Sequence, residues 1–283
     1  MDRPAATASV ADGVRDQAAA ENFPVALRLL PRRYRGHLLR FYDYARFVDD
    51  MGDEAAGDRR AGLGEIAADI AALYAGRVVT LPIVAALGPT VREKAIPAEP
   101  FLKLVSANLL DQDKSAYTDY ADLVAYCTLS ADPVGRVVLY VFGAVTTDNL
   151  RDSDAVCTAL QVLEHCQDVA EDFGLGRVYL PADDLVVAGV ERVQLARSQS
   201  TPPAVRRVVA TQVGRAEAAL LASGPPLVRR LRGWARVAVA GYVAGGLATV
   251  DALRSADYDV LAHDVKPSKG QTAKHAARLV LPR

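Results

Sequence analysis

Between Asp152 and Gly176 the chain carries six acidic residues and no Lys or Arg, yet its apolar residues recur at helical spacing. Ala159, Val162, Leu163, Cys166, Val169, Ala170 and Phe173 form one face, and Glu164, Asp168 and Asp172 stand beside it at i, i+4 and i+8. Like charges four apart destabilise a helix by roughly 0.2–0.5 kcal/mol per pair. No local base offsets them, so positive charge has to come from elsewhere in the molecule.

A second segment repeats the pattern. Asp49 and Asp53 lie in Phe41-Tyr-Asp-Tyr-Ala-Arg-Phe-Val-Asp-Asp-Met-Gly-Asp-Glu54, and stepping back from Asp49 at helical spacing meets Ala45, Tyr42 and Leu38. The carboxylates therefore extend a largely apolar stripe. Burying them unpaired would cost several kcal/mol each or force them to protonate. A neighbouring cation or a wet cavity is required, and Arg46 is one candidate partner; an exposed, solvated helix end is the plain alternative. Two further Asp pairs at this spacing, Asp12/Asp16 and Asp148/Asp152, sit in polar stretches and read as turns or helix caps. Two aspartate pairs on separate helices suit oxygen coordination of Mg²⁺ ions that keep waters and bridge to phosphate oxygens, implying a helical cavity that holds a diphosphate.

The rest of the chain supports an all-α reading. Strand-like alternation is sparse, and helices are expected over 32–55, 58–76, 98–112, 119–144, 151–174, 202–223 and 227–254, with shorter pieces near 12–20, 82–94, 182–197 and 258–280. Pro133 should kink or break the fourth of these long helices. No composition shift or repeat divides the 283 residues, so one domain over 21–283 is expected behind a flexible segment at 1–20. With 33 basic and 34 acidic residues, a generic nucleic-acid binder is unexpected. Cys127, Cys157 and Cys166 form no CxxC pair, which points to a reducing cytoplasm. No secretory signal is evident, and the 14-residue run Val237–Val250 is short for a membrane span. It reads as a buried helix and leaves peripheral membrane contact open. Gly62-Leu-Gly64-Glu-Ile-Ala67 fits a dinucleotide-loop pattern, but no strand precedes it.

These residues, taken with Tyr126-Cys-Thr-Leu-Ser-Ala-Asp-Pro-Val-Gly135, Gln167-Asp-Val-Ala-Glu-Asp172 and Arg177-Val-Tyr-Leu-Pro181, closely resemble the squalene and phytoene synthases. The resemblance spans about Glu21 to Lys274, and its opening, Glu21-Asn-Phe-Pro-Val-Ala26, is similar to the hydroxysqualene synthases of the hopanoid pathway. It implies a single-domain isoprenoid synthase fold, the type I terpenoid synthase architecture, with a central cavity. It implies Mg²⁺ held by Asp49, Asp53, Glu164, Asp168 and Asp172. Tyr126 and Tyr258 match cavity tyrosines beside the reacting carbocation; helix packing is the plain reading of each. Substrate contacts are implied for Asn22, Phe23, Arg46, Gln167, Arg177, Tyr179 and, by a looser positional match, Lys274. The implied ligands are presqualene diphosphate or farnesyl diphosphate, and the implied partners are companion enzymes of squalene formation.

Two positions depart from the usual family pattern Asn-x-x-Arg-Asp, which here reads Glu164-His-Cys-Gln-Asp168. Gln167 agrees with the hydroxysqualene branch and removes a cation beside the diphosphate. Glu164 offers a stronger metal ligand or a changed metal stoichiometry. Three readings follow: conversion of presqualene diphosphate and water to hydroxysqualene, head-to-head condensation of prenyl diphosphates, and a non-catalytic helical subunit that binds a partner enzyme or lipid. The bases Lys266, Lys269, Lys274, Arg278 and Arg283, with no acid after Asp264, are candidates to balance the diphosphate; solvation is their plain reading.

Overall fold

A computed structural model describes residues 30–281. Asn22, Phe23, the Glu21–Ala26 motif, Arg283, the expected helix near 12–20 and the expected flexible segment lie outside them. The described chain is built from α1 (Arg32–Asp53), α2 (Arg59–Tyr74), α3 (Pro82–Lys94), α4 (Glu99–Asp111), α5 (Tyr120–Ser130), α6 (Asp132–Phe142), α7 (Thr147–Gln167), α8 (Val169–Gly174), α9 (Ala182–Ala188), a 3-10 turn (Arg192–Leu195), α10 (Pro203–Arg230), α11 (Gly233–Ser255) and α12 (Lys269–Val280). Among the described residues there is no β-strand, only an isolated bridge between Ala116 and Val178.

Two apolar clusters form the core. One gathers α1, α3 and α4 with Leu63, Ile66 and Ile70 of α2. The other is built mainly by α5, α7, α10 and α11. Helix α6 belongs to both, sending Val137, Val138 and Val141 into the first and Leu139 into the second. Each aspartate pair therefore rides on a different half of one continuous core. Asp49 and Asp53 end α1, whose buried stripe is Leu38, Phe41, Tyr44, Val48 and Gly52. Asp168 and Asp172 follow α7, which is packed chiefly against α10 and α6.

Within the described residues helices form over the expected segments, with differences in where they break, start and end. The 119–144 helix breaks at Ala131, so that Pro133 stands in the first turn of α6, where its missing N–H costs nothing. The 151–174 helix is interrupted at Asp168 (φ −98°, ψ 15°), so Glu164, Asp168 and Asp172 do not share one straight face. Helix α10 runs through Pro225 and Pro226 to Arg230, not ending at 223. Gly224 explains why: a methyl there would lie 2.6 Å from Val243 Cγ1, so α10 and α11 are in close contact at that turn, and Leu227 and Val228 beyond it are buried. The last helix starts at Lys269, not 258, because Asp257 and Tyr258 take left-handed backbone (φ 51° and 57°), and Ser268 with Gln271 forms a capping box. The 182–197 segment divides into α9 and the 3-10 turn.

The acidic stretch is only partly uncompensated. Arg136 forks onto Asp154 at 2.8 and 3.0 Å, and Arg230 joins Arg151 on Asp152. Asp168 and Asp172, in contrast, have no Lys or Arg ion pair among the described residues. The three cysteines are free, and burial pushes their thiols up to about 12. Gly62–Ala67 lies inside α2, where Gly62 makes room for the Met51 sulfur of α1. Helix α11 is long and apolar enough to cross a membrane, but more than half of its most apolar stretch is buried, as in a core helix.

The crowding at Gly224 sets a test of the core. Gly224→Ala should lower unfolding stability by about 1–3 kcal/mol, because the rotamer of the buried Val243 has little freedom to move. Gly214→Ala, on an open face of the same helix, should raise it by roughly 0.5–1 kcal/mol. Urea unfolding of both variants measures the contrast; equal effects would refute the close α10–α11 contact.

Candidate active site

Asp49 and Asp53 stand at the C-terminal end of α1, and Asp168 lies between the C-terminal end of α7 and the first turn of α8, which holds Asp172. The last turn of α1 holds Asp50 and Asp53 with no basic residue, and Asp168 caps the C-terminal end of α7. The negative end of a helix dipole adds to the repulsion among these carboxylates. The surrounding protein answers with specific contacts. Asn108 of α4 donates to Asp49 Oδ1 at 3.0 Å, and Gln112 donates to the Gly52 carbonyl at 3.1 Å. Gly52 is required for this approach, because a side chain there would fall on the Asn108 amide.

Asp49 is exposed at the end of α1, with protein crowded around its carboxyl. Desolvation raises its pKa to about 7; the Asn108 hydrogen bond opposes the rise and the Asp53 charge adds to it. Arg46 pairs with Asp50 at 2.9 Å and reaches Glu54 at 3.8 Å, and its charge partly offsets the rise at Asp49. Asp168 is likewise raised to about 7, first by burial and then by Glu164, Asp172 and Glu171. Glu164 is exposed and accepts from Gln161 at 3.2 Å.

Arg177 connects the two halves. Its guanidinium meets Asp53 at 2.6 Å, and its position comes from backbone geometry that helical periodicity does not encode. Gly176 adopts φ 82°, the Arg177 amide donates to the Asp172 carbonyl at 2.8 Å, and the Val178 amide donates to the Ser115 carbonyl at 2.8 Å. The same clip lays Tyr179 against Tyr117, their ring centroids 5.4 Å apart. Tyr126 from α5 completes the group, and its hydroxyl donates to Asp111 Oδ2 at 2.7 Å. The Tyr179 hydroxyl approaches Asp111 Oδ1 at 3.4 Å. His165 stacks on Tyr179 at 3.7 Å, and its Nδ1 lies 3.6 Å from Asp172 Oδ2. A continuous path of polar groups thus runs from Asp53 through Arg177, Asp111 and the tyrosines to Asp172.

Asp111, Tyr117 and His165 were not singled out by the sequence. Asp111 belongs to no acidic pair, and only the fold brings these residues to Tyr126. Burial raises the Asp111 pKa, against the Tyr126 hydrogen bond, and raises the Tyr126 phenol well above its ordinary value. The other expected residues are placed as follows. Gln167 donates its amide to the Val265 carbonyl, fastening the segment before α12. The phenol of Tyr258 pairs with Arg254. Lys274 is exposed on α12.

Among the described residues no three His, Cys, Asp or Glu side chains converge into a ready-made metal cage. Mg²⁺ does not need one: it is commonly held by one or two carboxylates, with waters and substrate phosphates supplying the remaining ligands. Asp172 Oδ2 is buried with no hydrogen-bond partner, and its charge and those of Glu164 and Glu171 all act on the part-buried Asp168. That donor set fits a hard cation.

With the geometry established, comparison with known proteins gives a consistent result. Residues 17–271 match the squalene/phytoene synthase family. The hydroxysqualene synthase of Rhodopseudomonas palustris is 36% identical over 213 residues, covering 75% of this chain and 72% of that protein. The presqualene diphosphate synthase of the same organism is 33% identical over 216 residues, covering 75% and 71%. Among solved structures, squalene synthase HpnC from Alicyclobacillus acidocaldarius superposes with a TM-score of 0.79 at 38% identity, covering 88% of this chain and 94% of that one.

The raised Asp168 carboxyl gives a pH test. In metal-free protein its pKa of about 7 exceeds the ordinary unfolded value of about 3.9, so the folded state binds the extra proton between them. The group's stabilising contribution is complete below about pH 4 and is lost as pH rises through 7. Urea unfolding in EDTA should therefore find Asp168→Asn more stable than wild type at pH 8, with the gap closing by pH 5. Parallel pH profiles would rule out a strained carboxylate at this position.

Proposed function

The chain belongs to the squalene/phytoene synthase family, and from that premise we propose that it is a hydroxysqualene synthase, converting presqualene diphosphate and water to hydroxysqualene and diphosphate. The observation that carries this choice is Gln167 in place of an arginine ahead of Asp168, with its amide engaged at the Val265 carbonyl. The likeness to a hydroxysqualene synthase and to HpnC supports it.

In this reading Asp49, Asp53, Asp168 and Asp172 hold Mg²⁺, with Glu164 as a further ligand. The metal, when bound, neutralises the diphosphate and makes it a better leaving group. Arg177 donates to diphosphate oxygens from the position it now shares with Asp53. The C–O bond breaks with its electron pair leaving on diphosphate. The resulting cation rearranges against the faces of Tyr126, Tyr179 and Tyr117, whose neutral phenols present electron-rich rings without a nucleophilic oxyanion. Asp111 holds the hydroxyls of Tyr126 and Tyr179 and so fixes those rings. Water then bonds to the rearranged carbon, and its proton leaves with diphosphate. Asn22, Phe23 and Lys274 are proposed to close around the substrate, and Tyr258 to face the same cavity. Presqualene diphosphate would come from a companion condensing enzyme, and an oily product gives the enzyme reason to work at a membrane surface.

A second reading, condensation of two farnesyl diphosphates, is favoured by the similarity to a presqualene diphosphate synthase. Incubation with Mg²⁺ and presqualene diphosphate should release diphosphate and a C30 alcohol, whereas farnesyl diphosphate, with or without NADPH, should give no C30 product. Absence of the alcohol from the first incubation would sink the proposal, and presqualene diphosphate formed in the second would establish the alternative. Asp168→Asn should lower turnover about 100-fold or more while retaining the helical circular-dichroism spectrum. Unchanged turnover in that variant would remove Asp168 from the machinery.

A further inference from the structure

A cavity of about 550 Å³ lies between α10, α11 and α12, walled by residues that have no part in the aspartate and tyrosine network. Its size is that of a small-molecule site. Leu221, Pro225, Leu247 and Leu279 give it an apolar wall. Three arginines face it, one from each helix: Arg229, Arg236 and Arg278.

The acids lining the same cavity are already engaged. Glu217 is held by Arg254 at 2.7 Å, and Asp251 by His275 at 2.8 Å. Arg229 and Arg278 form no ion pair among the described residues. Arg236 donates one N–H to the Val280 carbonyl at 2.9 Å, while its Nε is buried with no acceptor. A buried N–H without a partner carries a desolvation cost that an acceptor brought by a ligand would relieve. Two further guanidiniums at the same opening give planar, forked donors suited to phosphate or carboxylate oxygens. Leu221 and Leu281 at the cavity are both more than half exposed, so the apolar wall continues to the surface.

We infer that this cavity is a second ligand site, for an amphiphilic anion whose phosphate head is received by Arg229, Arg236 and Arg278 and whose hydrocarbon chain lies against Leu221, Pro225, Leu247 and Leu279. The charge asks for an anion and the wall for an alkyl chain; neither free phosphate nor a neutral lipid satisfies both. Such a ligand bridges α10, α11 and α12 and so ties the C-terminal helix to the body. This inference does not depend on the proposed reaction.

Calorimetric titration of the intact protein with dodecyl phosphate, and separately with inorganic phosphate, tests it against the double variant Arg229→Gln/Arg278→Gln. Both positions are exposed, so the variant should keep its melting temperature. Dodecyl phosphate can also enter a prenyl-diphosphate site, so the informative quantity is the binding component that the variant loses. We expect one component to weaken at least tenfold in the variant, and inorganic phosphate to bind at least tenfold more weakly than dodecyl phosphate. Sedimentation with phosphatidylcholine vesicles, with and without phosphatidic acid, identifies the source. Arginine-dependent sedimentation with phosphatidic acid supports the site and assigns its ligand to a membrane; its absence beside retained dodecyl phosphate binding supports the site and assigns a dispersed amphiphile. Equal dodecyl phosphate binding by wild type and variant, no binding by wild type, or equal affinity for inorganic phosphate would overturn the inference.

Discussion

Carboxylates gathered at the C-terminal ends of two helices are the constraint from which the site follows. A helix end already carries partial negative charge, and both α1 and α7 add aspartates there. Helix α1 neutralises only Asp50, through Arg46 one turn earlier. The structure meets this demand with one guanidinium, Arg177 on Asp53, and with the neutral amide of Asn108 on Asp49. What is left, Asp168 and the unpartnered oxygen of Asp172, is shaped for a cation that arrives with its own anionic ligand. In the proposed reaction stability and function are opposed: each carboxylate that would be easier to bury as an amide is a group that a metal diphosphate would need.

The two-cluster core makes that demand geometrically precise. Asp49 is carried by the half of the core built from α1 to α4, and Asp168 by the half built around α7, α10 and α11, with α6 shared between them. The path from Asp53 through Arg177 and Asp111 to Tyr126 crosses the junction. It joins two short contacts, Arg177 to Asp53 and Tyr126 to Asp111, by the attraction of Arg177 for Asp111, and backbone clips, notably Val178 on Ser115 and Ala182 on Tyr117, hold the segment in place. Aromatic rings fill the space beside it, so a reactive cation on the substrate would meet π faces and not free water.

Much of this was legible in the sequence. Periodicity and proline placement give the helices, and the apolar stripes beside them set Asp49/Asp53 and Asp168/Asp172 apart from Asp148/Asp152, which has the same spacing. The limits have physical causes. Pro225-Pro226 reads as a helix end because proline removes a donor, and only the contact of Gly224 with Val243 shows why α10 continues. Asp168 reads as mid-helix because its spacing is helical, although its backbone is not. Asp111, Tyr117 and His165 carry no local signal, since what distinguishes them is a meeting of separate segments. The neutralisation of Asp152 and Asp154 by Arg230 and Arg136 is hidden for the same reason.

Charge balance shows the value of placing residues in space. The near-equality of 33 bases and 34 acids says that the molecule as a whole is neutral, and the sequence suggests that a basic C-terminal segment answers the acidic helix. The fold divides the positive charge differently. Arg177, immediately after the acidic segment, is the base that reaches the first aspartate pair, while Arg278 from the C-terminal segment opens with Arg229 and Arg236 onto another cavity. Arg229 and Arg278 meet water where they stand and cost little there, whereas burial raises Asp168; on the two proposals above, the acidic concentration takes a metal-bound diphosphate and the basic one an amphiphilic anion.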